Sequence, residues 1–310
     1  MSRLNLDFIQ YSNIITKMSR LKIGLYIGVG LITLSFASIL IKLTTAPSIV
    51  IAAGRLFIAA LILQPIFWSR FRTLKLEIKN SKRGLIILSG VFLAAHFAMW
   101  IESLSHTSVP SSVVLVATDP IFVAILSPLL LREKISLKII IAIILGMIGT
   151  AIVASQGFGS FAMTKGNLLA LGGAACAGGY LLVGRKVRPK TSLLTYIYIM
   201  YTTAAIILAS AVFITGNKFT GYSFQSYLFI ALLGIGPQLV GHTSFNWALK
   251  YVTAPVVAMA ILGEPIGTSI LSWLILKQPP TIIEIIGGVI ICIGIYLAAS
   301  SIERKQPQID

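Results

Sequence analysis

The sequence predicts an all-α polytopic membrane protein, with ten transmembrane helices in two inverted five-helix repeats. Three observations predict it: the density of apolar residues, the placement of the basic ones, and a self-match at one fixed spacing. The 310-residue chain is 56% hydrophobic and only 11% charged, with a mean hydropathy of +0.92. That is more apolar surface than a water-soluble domain can hide.

A helix needs about 20 mostly apolar residues to cross roughly 30 Å of hydrocarbon. Apolar runs of that length lie near residues 22–43, 48–69, 84–104, 108–131, 136–155, 165–185, 193–215, 224–248, 254–276 and 281–300, here termed spans 1 to 10. Residues 1–21 form an N-terminal tail, 156–164 a linker and 301–310 a C-terminal tail. The tetrapeptide Met-Ser-Arg-Leu at 1–4 recurs at 18–21, so Met18 is an alternative start. The first apolar run is too long for a cleavable signal peptide and has no small-residue cleavage site after it.

The net charge of +16 invites a nucleic-acid reading, but the positions of the charges oppose it. Twenty basic residues fall on one side of the predicted topology: Arg3, Lys17, Arg20, Lys22, Arg70, Arg72, Lys75, Lys79, Lys82, Arg83, Arg132, Lys134, Lys138, Arg185, Lys186, Arg188, Lys190, Lys250, Arg304 and Lys305. The other side holds three, Lys165, Lys218 and Lys277. Positively charged loops stay in the cytoplasm, so both termini are expected there, in a cytoplasmic (inner) membrane.

Shifting the sequence by 145 residues aligns Pro110 with Pro255, Pro120 with Pro265, Ser127 with Ser272, Leu131 with Leu276 and Gly149 with Gly294. The chain therefore reads as a duplicated unit, residues 22–155 and 165–300. Five spans per unit is an odd number, so the second copy enters the membrane upside down, an arrangement common in secondary transporters.

The segments Phe36-Ala-Ser38, Lys42, Ala53-Gly-Arg55, His96-Phe-Ala-Met-Trp100 and Thr107-Ser-Val-Pro-Ser-Ser112 continue the pattern. So do Leu131-Arg-Glu-Lys-Ile-Ser136, Gly179-Tyr-Leu-Leu-Val-Gly-Arg-Lys186 and Leu262-Gly-Glu-Pro-Ile-Gly267. With these residues the chain resembles EamA-type members of the drug/metabolite transporter superfamily over residues 20 to 300. The resemblance implies movement of a small metabolite by alternating access, as a proton antiporter or a facilitator, without ATP or another cofactor. Where Asp119 stands, it leads one to expect histidine or another polar residue.

Ionisable side chains at mid-membrane cost at least about 2.5 kcal/mol on insertion scales, so they point to an interior path. Asp119 and Glu264 lie at matching depths in spans 4 and 9, each just before a proline. Facing each other, they hold a proton, a cation or a substrate ammonium; alternatively they cap helices or pair with an arginine. Pro120 and Pro265 are expected to kink their helices. Arg55 is deep and always charged, and its expected partners are Asp119, Glu102 or an anionic substrate. Lys42 is expected to snorkel outward.

His96, Trp100 and Glu102 make a polar and aromatic strip on span 3. Gln238, His242 and Asn246 recur every four residues on span 8, either bonding neighbouring helices or lining a channel. Tyr180 is expected in the same cavity, with Tyr196 and Tyr201 near it, and the cavity is expected among spans 1, 3, 4, 6, 8 and 9.

Cys176 and Cys292 have no metal-type spacing, and neither a disulfide framework nor a metal site is expected. Gly172-Gly-Ala-Ala-Cys-Ala-Gly-Gly179 is a close-packing segment and not a phosphate loop. Metalloprotease and nucleophile-elbow motifs are absent from the sequence, so an enzyme is not expected. The expected partners are a small-molecule substrate, the lipid bilayer and protons, with no nucleic acid, and the chain is expected as a monomer or homodimer. The expected activity is export of an amino-acid-like or related compound, a toxic analogue included. The alternatives are an uncoupled facilitator with structural carboxylates and a non-transporting receptor or scaffold.

Overall fold

The computed structural model describes residues 20–107, 109–155, 164–277 and 279–301, and among them there is helix and no strand. The tail before residue 20, most of the 156–164 linker and the chain after residue 301 lie outside the described residues. Nine helices among the described residues are long and apolar enough to cross a membrane: Leu21–Lys42, Ser48–Ser69, Arg83–Ser103, Ser111–Leu131, Lys165–Lys190, Leu193–Ile214, Phe224–Ala248, Ala254–Ile275 and Ile282–Ser300. The run predicted as span 5 is a shorter apolar helix, Leu137–Val153. Their outward faces carry large apolar side chains such as Leu129, Ile144, Ile206, Phe213 and Val289, suited to lipid.

Several spans are built from pieces, which we label where they matter. Span 4 comprises α1 (Val109–Val116) and α2 (Asp119–Leu131), and the next helix is α3 (Leu137–Ala154). Span 9 comprises α4 (Ala254–Ile261) and α5 (Glu264–Leu276), and it is followed by α6 (Ile282–Ser300). The start of each of these three pairs differs by 145 residues, the spacing of the sequence repeat.

The capping repeats as well. Arg132 and Lys277, which stop α2 and α5, are the two non-glycine residues with positive φ among the described residues, at 56° and 59°. Ser136 and Thr281 then cap α3 and α6, each side chain accepting from a backbone N–H three residues on. At Thr281 the cap is reciprocal, because the Glu284 carboxylate accepts from the Thr281 N–H at 2.7 Å. Thr281→Ala is expected to destabilise the fold by about 1 kcal/mol, read as a lower melting temperature in detergent.

The predicted kinks are more than kinks. Ala117 and Thr118 interrupt span 4, and Leu262 and Gly263 interrupt span 9, so each proline sits in the first turn of a new helix. Proline supplies no N–H to the carbonyl one turn back, and the preceding residues turn by short three-residue bonds instead, Thr118 N–H to Leu115 O and Gly263 N–H to Ala260 O. Each break leaves its carboxylate, Asp119 or Glu264, at a helix N-terminus, where the backbone dipole favours negative charge.

Two further elements depart from the sequence reading. The basic stretch after span 2, which the sequence assigned to no span, holds a helix over Phe71–Asn80. Phe71, Leu74 and Ile78 repeat at helical spacing among Arg72, Lys75 and Glu77, the pattern of a helix lying along a membrane surface. Span 8 contains a π-helical segment, Gly234–His242, around Pro237. The missing proline N–H and the wider turn accommodate each other there.

Glycines set the closest approaches. On α3 and α6, a β-carbon added to Gly149 would lie 2.6 Å from the Gly287 carbonyl oxygen, and one added to Gly287 would lie 2.7 Å from the Gly149 carbonyl oxygen. The two backbones touch at this crossing. Gly173 similarly brings span 6 against His96 and Trp100 of span 3.

Candidate functional site

A cavity of about 60 Å³ lies where the two helix breaks meet. Its polar and aromatic lining is His96 and Trp100 from span 3, Asp119 from span 4, Tyr180 from span 6, His242 from span 8 and Glu264 from span 9; Leu34 of span 1 completes the ring of helices. At roughly 10–15 Å³ per water, it holds a few water molecules. Pro265 reaches the cavity and Pro120 does not.

The helix breaks explain why the acids are here. Asp119 is 4% exposed and opens α2, while Glu264 opens α5, so both project from helix starts toward the same space. The Glu264 carboxylate lies close enough to act on the Asp119 charge.

The aromatic wall is ordered by specific contacts. His96 bonds through Nδ1 to the Gly173 carbonyl at 2.9 Å and stacks on Trp100 with ring centroids 5.9 Å apart. The Tyr180 hydroxyl lies 3.3 Å from His242 Nδ1. His242 in turn sets its edge against Phe97, with centroids 5.2 Å apart at 85°. The Trp100 indole N–H is buried without a hydrogen-bond partner.

Arg55 lies one ring behind this wall. It is fully buried, with its guanidinium over the Phe97 face at 4.0 Å, and all three side-chain nitrogens lack hydrogen-bond partners. Glu264 is the carboxylate close enough to act on its charge. The sequence offered Asp119, Glu102 or an anionic substrate as its partner; the structure sets the Phe97 ring against it and puts neither acid in an ion pair with it. A phenylalanine one position from His96 gives no pattern signal for that role.

Other predicted residues lie apart from the cavity. Glu102 is at the end of span 3, where it meets His106 Nε2 at 2.8 Å with its side chain 42% exposed, so it does not join His96 and Trp100. Lys42 is exposed. The Gln238, His242, Asn246 stripe is split, since the π-helical segment changes the angular step that placed them on one face. His242 reaches the cavity, whereas the Gln238 amide is buried with no partner and Asn246 Nδ2 donates to the His242 carbonyl at 2.8 Å. Tyr196 bonds Ser89 at 2.7 Å and Tyr201 bonds Thr243 at 3.1 Å, both in packed interior.

Cys176 and Cys292 are free thiols, and no group of three or more metal-ligating side chains occurs among the described residues. The cavity brings two acids, two imidazoles and a phenol together beside an indole ring.

The sequence profile of the EamA-like transporter family matches residues 21–155 and again 164–300. The chain belongs to the EamA-like transporter family. It is 22% identical over 257 residues to the uncharacterized transporter YyaM of Bacillus subtilis, covering 81% of this chain and 84% of that one. A transporter of Clostridium kluyveri is 25% identical over 251 residues, with 79% and 81% covered. A riboflavin transporter of Brucella anthropi is 25% identical over 246 residues, with 77% and 83% covered. One crystal structure superposes with a TM-score of 0.78 over 92% of this chain and 99% of its own at 15% identity, a likeness of fold. This EamA-like chain is thus a multi-pass membrane protein of a family that transports small molecules.

Proposed function

We propose that this chain is a secondary transporter that exports a small organic metabolite across the cytoplasmic membrane by alternating access. In this reading ten spans form two inverted repeats, residues 22–155 and 165–300, with both termini in the cytoplasm. Asp119 and Glu264 take up either a proton or the cationic group of the cargo, so the two compete for one site. Trp100, His96, Tyr180 and His242 form the wall against which the cargo rests. Arg55, behind Phe97, balances the charge of Glu264.

The observation that carries the reading is the paired helix break. Two unrelated kinks would not open their new helices with acids 145 residues apart and on one cavity. Broken helices at membrane depth are tolerated where they line a polar cavity, and helix termini there bind ions and substrates. A typical ligand pocket is about 300 Å³ or more, so a cavity of about 60 Å³ must widen to admit cargo.

The test is a thermal-shift screen of purified protein against a metabolite library, followed by flux of the stabilising compounds in proteoliposomes. Amines, amino acids and, because of the Brucella anthropi relative, flavins belong in the library. A compound that stabilises the protein and crosses the bilayer only with the protein present supports the proposal. Absence of protein-dependent flux for every stabilising compound defeats it.

A further inference from the structure

On span 4 the cavity lies to one side of Asp119. Along span 4 it is lined by Val113, Val116 and Ala117 before the acid, and by no residue of the rest of α2. Beyond Asp119, Val123 on α2 and Val257 on α4 are fully buried on half-helices that pack together.

Past that plug several buried polar atoms have no hydrogen-bond partner. The Ser127 hydroxyl is fully buried with no partner, about 12 Å beyond Asp119 at 1.5 Å per residue. The Thr253 hydroxyl is buried and unpartnered although Thr253 is the N-cap of α4, where a threonine ordinarily bonds the first turn. Glu133, just past the end of α2, has one carboxylate oxygen buried and unpaired. Buried polar groups are rarely left unsatisfied, and where they are, water or another state usually supplies the partner.

These atoms lead to a cross-link at the basic end of the molecule. Arg185, in the last turn of span 6, donates from Nε to Glu133 Oε1 at 2.6 Å and from one terminal nitrogen to the Leu249 carbonyl at 2.8 Å. One guanidinium therefore ties the loop after span 4 to the end of span 8. Charge-assisted bonds of this kind are among the stronger polar contacts a protein makes.

We infer that the cavity has a second, closed half, running from Asp119 past Ser127 and Thr253 to Glu133, and that the Arg185–Glu133 pair is the lock that holds it shut. This rests on the transport reading above, in which the central site must reach each side in turn. Opening the lock hydrates Ser127, Thr253 and the free Glu133 oxygen together, which accounts for polar residues in a segment that is otherwise plain packing.

The test uses the full chain with Cys176→Ala and Cys292→Ala, carrying Ser127→Cys or, as the control lining the open half, Val116→Cys. A charged, membrane-impermeant thiol reagent is applied from either face of sealed vesicles. With the lock intact, the cysteine at 127 should react more slowly from either face than the one at 116, which lines the cavity. Glu133→Gln should raise labelling at 127 about tenfold, the effect of losing some 1.4 kcal/mol of bias between states, and from the Arg185 face alone. Arg185→Gln, which removes the same pair from its other partner, should reproduce that shift.

Unchanged labelling at 127 in both variants, or an increase from both faces alike, overturns the inference. Labelling needs no cargo, so the two readings fail separately. Metabolite flux without the side-specific shift defeats the second half-path alone, and lack of flux defeats the transport reading.

Discussion

Asp119→Asn and Glu264→Gln are each expected to cut pH-gradient-driven transport in proteoliposomes at least about tenfold, equal to about 1.4 kcal/mol in the barrier. Each replacement keeps the side-chain shape and removes the negative charge and the proton-binding oxygen. The fold should tolerate the change. An amide at a helix start loses an interaction with the backbone dipole of about 0.3–1 kcal/mol, but it no longer buries a charge at a position where Asp119 is only 4% exposed. Loss of transport with an unchanged melting temperature is therefore the predicted signature. Retention of full gradient-driven flux in either variant would show that its acid is structural.

Gly149→Leu is expected to give the largest loss of stability. Even a single β-carbon at 149 meets the Gly287 carbonyl oxygen at 2.6 Å and the Ile291 nitrogen at 2.9 Å. Both are backbone atoms, which cannot turn aside as a side chain would, so α3 and α6 must separate. Overpacking of this kind costs about 1–3 kcal/mol per insertion, and a leucine adds three further carbons at the same crossing. The same substitution at Gly28, which has nothing within 4 Å, is the control. Melting in detergent should fall clearly for Gly149→Leu and little for Gly28→Leu, and equal curves would contradict the close crossing.

Much of the fold was legible because the membrane leaves so few choices. Apolar runs mark helices, and the 145-residue self-match carried from Pro110 to Gly294 anticipates a repeat of local structure. What the sequence hid depends on backbone geometry more than on composition. Pro120 and Pro265 announce a disturbance, but whether the chain bends or breaks depends on the residues before them, which turn by short bonds at Thr118 and Gly263. Pro237 gives the same signal, and there the chain widens into a π-helical segment and splits a stripe that regular spacing had drawn straight. The helix over Phe71–Asn80 was obscured by its charge, which keeps it out of the spans until its apolar residues are taken at helical spacing.

The site was legible in its acids and less so in its partners. A carboxylate in an apolar run is conspicuous, and the repeat pairs Asp119 with Glu264. Arg55 was conspicuous for the same reason, yet its neighbour Phe97 is one apolar residue among many. Glu102 was grouped with His96 and Trp100 by its place near the outer end of span 3, but the helix ends one residue later and leaves it half-buried beside His106.

The central claim is that Asp119 and Glu264 form one site in which a proton and the cargo's cationic group exclude each other. The most direct measurement is proton movement, followed with a trapped pH indicator, as a stabilising amine or amino acid is transported by proteoliposomes of the unaltered chain and of Glu264→Gln. The account predicts that cargo movement in one direction drives protons in the other, and that Glu264→Gln abolishes this exchange. Cargo flux with no proton movement in the unaltered protein, or exchange that persists in Glu264→Gln, would contradict it.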